Sequence, residues 1–504
     1  MLVKIAGVVL NAYHLPCKPL VNQRNQIMAS QQASFYWHDY ETWGLSPSLD
    51  RPSQFAGIRT DMDFNIIGEP DMFYCRLSDD YLPNPEPAII TGITPDITQA
   101  EGIAEFEFAR RINQQFSKSN TCVVGYNTLR FDEEFSRYLF YRNFYDPYEY
   151  SWKNSSSRWD IIDLVRAAYA LRPDGIVWPK NEQGLVSFRL ELLTEANGIS
   201  HEQAHDATSD VYATIAIAKL IKEKCPKLFN YYFQLRNKNK VKDLIDVESM
   251  TPLVHVSGMF GTVKSNAGLV SPIVWHPTNT NAVAVVDLSL DISPLLELSA
   301  DEIRARLYTK RDELGDKSPI PLKLVHINKC PFLAIEKTLL AGNAERIGID
   351  RQQCQANLEI LRSYPKLAEV VEAVFDQERA FEHQDNVDAM LYDGFFSFDD
   401  KKIFQQIRQS DPEKLIDYSG SVIDKRFEDL LFNYRARNFY ETLTINEQKQ
   451  WKKQCEARLA LIIPDYFLNL DMMVEKNKES LKNLEIINNL VKYAHFVNNK
   501  FVLD

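Results

Sequence analysis

Asp39 and Glu41 stand two residues apart in SFYWHDYET, Ser34 to Thr42, a run rich in aromatics and bordered by polar residues that predicts a β-strand. Side chains two apart on a strand leave the same face, so two carboxylates meet beside an aromatic, core-like segment. Acids are disfavoured in strands and costly to bury. The placement therefore calls either for a compensating cation or for an edge strand whose acids are solvated. A second acidic element follows Gly125-Tyr126-Asn127, which closes an apolar strand and leads through Arg130-Phe131 to Asp132 at a helix start. Asp132 reads as a helix N-cap or as a third carboxylate pointing across the strand ends at the first pair. The third element, His205-Asp206-Ala207-Thr208-Ser209-Asp210, enters the helical run Val211 to Leu220. Positions five apart on a helix differ by about 140° of rotation, so His205 belongs just before the helix. From there it can swing toward a water while Asp210 stays fixed and Asp206 caps, the division of labour between a general base and a metal ligand. Acidic oxygens from three separated segments suit Mg²⁺ or Mn²⁺. Two such ions about 3.5–4 Å apart generate hydroxide and stabilise the entering and leaving oxygens of phosphodiester cleavage.

The elements that must position these groups follow from periodicity. Ser34 to Thr42, Gln54 to Thr60 and Ile66 to Leu77, with a polar turn at Asp61 to Asn65, predict a β-meander. Helical spacing covers Ala100 to Phe116 and Phe131 to Phe144 around a short buried strand, Thr121 to Gly125, with further helices at Trp159 to Ala170, Arg189 to Ala196 and Asp206 to Lys222. This is an α/β (α+β) pattern, a mixed sheet with flanking helices. From Cys225-Pro226 to about Leu333, short β-rich runs at 252–260, 271–277, 282–289 and 321–327, broken by a helix near Ala300 to Tyr308, predict a small barrel-like module. Beyond Arg351 the chain reads as helical almost throughout.

Composition bounds the rest. At roughly 100–200 residues per domain, 504 residues make three units the simplest division. With 45% hydrophobic and 25% charged residues the chain is globular rather than collagenous, disordered or disulfide-built. No apolar run approaches the roughly 20 residues that cross a bilayer, so no membrane span is expected. The seven cysteines are scattered and form no CxxC pair, as expected of reduced thiols in the cytoplasm. A net charge of -12 excludes wholesale adsorption to a polyanion, so any nucleic acid binds locally. Met28 immediately precedes the first patterned segment, which points to a native start there and to Met1–Ile27 as an upstream extension.

The order and context of the acids resemble the DEDDh class of 3′-to-5′ exonucleases. Longer stretches, SFYWHDYETWG, GYNTLRFDEEFSRYLFYRNFYDPY, HDATSDVYATIA, PLVHVSGMFG, VHINKCP and DNVDAMLYDGFFS among them, closely resemble the bacterial exodeoxyribonuclease I family from about Ser34 onward. The resemblance implies an RNase H-like exonuclease domain at 34–225, an SH3-like domain at 226–376 and an all-helical domain at 377–504, behind an extension at 1–33. It also implies processive 3′-to-5′ hydrolysis of single-stranded DNA to 5′-mononucleotides in repair and recombination, by a monomer using two Mg²⁺ ions for which Mn²⁺ substitutes. Asp39, Glu41, Asp132 and Asp210 become the metal carboxylates and His205 the general base. Arg137, Tyr148, Trp152, Arg166 and Arg189 match DNA-contacting positions, although several also read as amphipathic helix surface. Arg172, Tyr231 and Arg362 match positions that dock the acidic tail of single-stranded DNA-binding protein, but Ile335 and Leu340 stand where polar or basic side chains are expected. The basic residues Lys224 to Lys242 around Tyr231, Tyr232 and Phe233 read as a phosphate track or as a solvated linker helix. A same-fold exoribonuclease and a catalytically silent DNA-binding scaffold are the alternatives.

Overall fold

A computed structural model describes residues 32–201, 206–376 and 384–502. Met28 and the extension before it fall outside these spans, and so does His205.

Five strands, β1 (Ser34–Thr42), β2 (Pro52–Thr60), β3 (Asp71–Tyr74), β4 (Thr121–Gly125) and β5 (Ser157–Asp160), form a mixed sheet in the order β3-β2-β1-β4-β5. The first three are antiparallel neighbours; β4 runs parallel to β1, and β5 parallel to β4. Central β1 is buried on both faces. Phe35 and Trp37 enter the core shared with α3 (Ile162–Leu171) and α5 (Ala207–Lys224), whereas Tyr36 and Tyr40 enter one shared with α1 (Glu105–Phe116) and α2 (Asp132–Arg142). A short α4 (Leu190–Ala196) packs against α5.

Three expectations change. The strand expected over 66–77 contracts to β3, the only part that ladders with β2. The helix expected over 100–116 breaks at Gly102, because Ile103 bridges Cys75. The helix expected over 159–170 begins only at Ile162, because Ser157–Asp160 pairs with β4 as an extra parallel strand.

Helix α6 (Pro226–Gln234) leads into a second sheet of β6 (Leu253–Val256), β7 (Ala267–Trp275), β8 (Ala282–Asp287), β9 (Leu322–His326) and β10 (Phe332–Ile335), all antiparallel in the order β10-β6-β7-β8-β9. Helix α7 (Ala300–Leu307) crosses between β8 and β9, and α8 (Arg351–Arg362) and α9 (Leu367–Phe375) follow the sheet. Residues 384–502 contain only helical elements, chiefly α10 (Phe398–Ile407), α11 (Arg426–Asn438), α12 (Ile445–Asn477) and α13 (Leu481–Phe501). Among the described residues no helix is long and apolar enough to cross a membrane, and all six described cysteines are buried and unpaired.

Candidate active site

The odd-numbered face of β1 carries Phe35 and Trp37 into the core under α5, and the same face then presents Asp39 and Glu41. The apolar layer stops where the strand reaches its C-terminal end. There β4 has already left: its ladder with β1 ends at Trp37 opposite Val124. A crevice outside the carboxyl ends of neighbouring parallel strands is the usual ligand position in α/β sheets.

Helix α5 enters that crevice with its N-terminus. Asp206 caps it, accepting the Ser209 N–H at 3.1 Å, and Gln54 on β2 donates to Asp206 at 3.3 Å, so the helix start is moored to the sheet. Asp210, one turn in, meets the β1 pair: ligand atoms of Asp39, Glu41 and Asp210 lie within 4.8 Å of one another. Asp132, at the first turn of α2, is buried beside them. Its Oδ1 accepts the Tyr40 N–H at 3.2 Å, on the stretch of β1 beyond the end of the β4 ladder. Of the two readings of its position the second holds: Phe131, not Asp132, is the N-cap and no side chain caps the helix, while Asp132 as the first helical residue faces the other acids.

The turn delivering Asp132 is held by Asp160 at the end of β5. Its carboxylate accepts N–H groups of Asn127 at 2.8 Å, Leu129 at 3.1 Å and Ile162 at 2.9 Å. Sequence reading left Asp160 unassigned because its strand was hidden in a presumed helix.

Withdrawal from water, then the neighbouring Asp132, Glu41 and Asp210 carboxylates, push the Asp39 carboxyl well above the ordinary carboxylate range. Glu41 moves the same way through burial and the charges of Asp210 and Asp132. Burial raises Asp132 as well, against the backbone N–H bonds it accepts. Like charges crowded in this way are the arrangement that a divalent ion relieves. An all-oxygen donor set suits hard ions, so the residues present fit a divalent metal site. The acids line a cavity of about 750 Å³ with Tyr126, Phe131, Phe188, Arg166 and Arg189.

One residue in contact with the cluster went unread in the sequence. His201 Nε2 lies 2.5 Å from Asp210 Oδ1. A lone histidine four residues before the expected base carries no spacing signal.

Family models match nearly the whole described chain: "Exonuclease" over residues 36–218, "Exonuclease I SH3-like domain" over 236–377 and "Exonuclease I C-terminal domain" over 385–497. Exodeoxyribonuclease I of Haemophilus influenzae is 54% identical over 463 residues, covering 92% of this chain and 98% of the relative. The chain belongs to the exodeoxyribonuclease I family. Crystalline Escherichia coli exonuclease I in complex with a dA16 oligonucleotide superposes with a TM-score of 0.91 at 52% identity, over 92% of this chain and 100% of that one. The zinc-bound form of the E. coli enzyme's complex with single-stranded DNA matches with a TM-score of 0.90 at 52% identity, over the same shares of the two chains. The RNase H-like, SH3-like and helical architecture expected from the resemblance is the one observed.

Within this exodeoxyribonuclease I fold the expected DNA-contacting residues separate into groups. Arg166 and Arg189 reach the carboxylate cavity, each beside a nearby acid, Arg166 on Asp163 of α3 at 2.7 Å and Arg189, just before α4, on Glu191 at 2.6 Å. Tyr148 instead lines a cavity of about 410 Å³ against the helical domain, facing the Phe395 ring at 5.9 Å. Trp152 is 63% exposed. Arg137 is buried, bonded at 2.7 Å to both Glu133 and Glu134 and at 3.2 Å to Tyr392 of the helical domain, and its guanidinium lies 5.2 Å from the Tyr148 ring.

Of the expected partner contacts, Arg172 and Tyr231 converge on one segment, donating to the Thr338 carbonyl at 3.2 Å and the Leu333 carbonyl at 2.8 Å. Arg362 is bonded elsewhere, to the Ser249 carbonyl. Ile335 and Leu340, beside that segment, are each about half exposed. In the basic run, Arg236 ties α6 to the nuclease sheet through Ser157 and stacks 3.6 Å from the Phe233 ring.

Proposed function

We propose that this chain hydrolyses single-stranded DNA processively from its 3′ end, releasing 5′-mononucleotides, with Asp39, Glu41, Asp132 and Asp210 holding a pair of Mg²⁺ ions and His205 as general base. The observation that carries the reading is the convergence of carboxylates from β1, α2 and α5 in one cavity of a chain belonging throughout to the exodeoxyribonuclease I family. Bound there, divalent ions supply a hydroxide nucleophile at neutral pH and counter-charge for both oxygens of the displacement.

The chain's own groups do the rest. Asp160 fixes the turn that aims Asp132, and Gln54 and Asp206 fix the start of the helix that carries Asp210. Arg166 and Arg189 meet phosphates entering the cavity, while Tyr148 and Trp152 offer ring faces to bases farther along the strand. The same reading divides the chain at 34–225, 226–376 and 377–504 and makes it a cytoplasmic monomer acting in repair and recombination. It assigns Arg172, Tyr231 and Arg362 to the acidic tail of single-stranded DNA-binding protein. Arg362→Glu should weaken capture of a tail peptide, and an unchanged affinity removes that assignment.

The decisive experiment uses paired DNA and RNA oligonucleotides labelled at the 5′ end, with Mg²⁺, Mn²⁺ or EDTA. Expected is a descending ladder from DNA alone, abolished by EDTA and restored by either metal. Equal degradation of RNA, or cleavage persisting in EDTA, overturns the reading.

A further inference from the structure

Asp210 is held from behind. The His201 side chain is 4% exposed, with Nε2 2.5 Å from Asp210 Oδ1 and Nδ1 3.2 Å from Thr194 Oγ1. Thr194 is fully buried in α4, and its hydroxyl lies 2.9 Å from the carbonyls of both Leu190 and Glu191, residues that themselves line the carboxylate cavity. An imidazole gripped at both nitrogens has its ring plane fixed, so it fixes whatever it touches. A carboxylate's two oxygens together accept several partners, so the contact with His201 is compatible with coordination of a cation.

We infer that His201, backed by Thr194, is a positioning residue that orients the Asp210 carboxylate for metal. It touches neither substrate nor the reacting atoms, and it is separate from His205 in both sequence and role. The inference rests on the reading of Asp210 as a metal ligand. Groups that orient a metal's ligands typically govern affinity by about 10–100-fold, and a carboxylate on the first turn of a helix has several staggered rotamers from which such a contact selects one.

The test is Mn²⁺ binding to the full chain without DNA, measured by titration calorimetry for the native protein and for Asp210→Asn, His201→Ala and His201→Gln. His201→Ala should weaken Mn²⁺ binding about 10–100-fold and raise the metal concentration for half-maximal cleavage by a similar factor, with kcat largely restored at saturating metal. His201→Gln, whose amide still offers a donor, should recover part of the loss. Weakened binding in Asp210→Asn with native binding in His201→Ala overturns the positioning role alone. Native binding in Asp210→Asn overturns the ligand assignment and the inference with it. Should His201→Ala fail to fold, Thr194→Val keeps the side-chain shape and removes only the hydroxyl behind the ring. It should weaken Mn²⁺ binding in the same direction, and native affinity there sinks the proposal.

Discussion

Single side chains divide into those that should silence chemistry, those that should loosen the strand and those that should disturb the scaffold. Asp39→Asn keeps the shape of the β1 pair but removes a charge from the cluster. Cleavage should fall below detection while DNA affinity, read by fluorescence anisotropy under EDTA, stays near native; a fully active variant would disprove the assignment. Trp152 is exposed and contributes nothing to the core. At about 1–3 kcal/mol per stacked base, Trp152→Ala should weaken DNA binding roughly 5- to 150-fold with an unchanged melting temperature. Asp160→Asn sets an amide donor against backbone N–H groups now shared between two carboxylate oxygens. Leaving one of them unsatisfied should cost about 1–3 kcal/mol in urea unfolding, and kcat should drop because the turn delivering Asp132 loosens. Residues of this kind were unevenly legible. Asp39, Glu41, Asp132 and Asp210 announced themselves because acids are costly in aromatic, strand-like surroundings, whereas His201 and Asp160 act through a fold that must exist before their contacts do.

Among the elements, the close approach of β4 to β1 constrains the site most directly. A Cβ on Gly125 would come within 2.7 Å of the His38 carbonyl, one residue before Asp39, and would also strike the Thr128 side chain. Gly125→Ala should therefore prise the strands apart where the carboxylates converge, lowering both melting temperature and kcat; a variant that loses neither refutes this account of the junction. The longer elements were readable from period alone, β1 by its aromatic run and α5 by its apolar spacing. β5 and β10, four residues each, were not. Strands so short lack room for an alternating signal, and Trp159 followed at once by Ile161, Ile162 and Leu164 imitates a helix face until β4 is there to pair with Ser157–Asp160.

At the scale of the molecule, the helical domain is fastened to the nuclease sheet by buried ions. Asp388 receives Arg51 and Arg437, each at 2.7 Å, and Asp80 receives Arg437 at 3.0 Å and Arg458 at 2.7 Å. Burial alone would raise both carboxyls, but Arg437 and its neighbours outweigh it and hold them well below the ordinary range. Carboxyls depressed in the folded state stabilise it fully above the unfolded value of about 4, and that contribution is lost as pH falls through the folded values. Urea midpoints should drop as pH falls below about 4, with Arg437→Ala costing about 3–5 kcal/mol at neutral pH by removing the cation that two buried carboxylates share. A pH-independent midpoint below that point would remove the network from the account. The SH3-like sheet is joined differently: Trp159 of β5, Phe229 and Tyr232 of α6 and Phe332 of β10 belong to one continuous apolar cluster. No seam runs there along which the chain could be cut. A fragment ending at Cys225 would face water with half of someone else's interior, so the catalytic sheet is not a detachable cassette and the two sheets should melt as a single cooperative body.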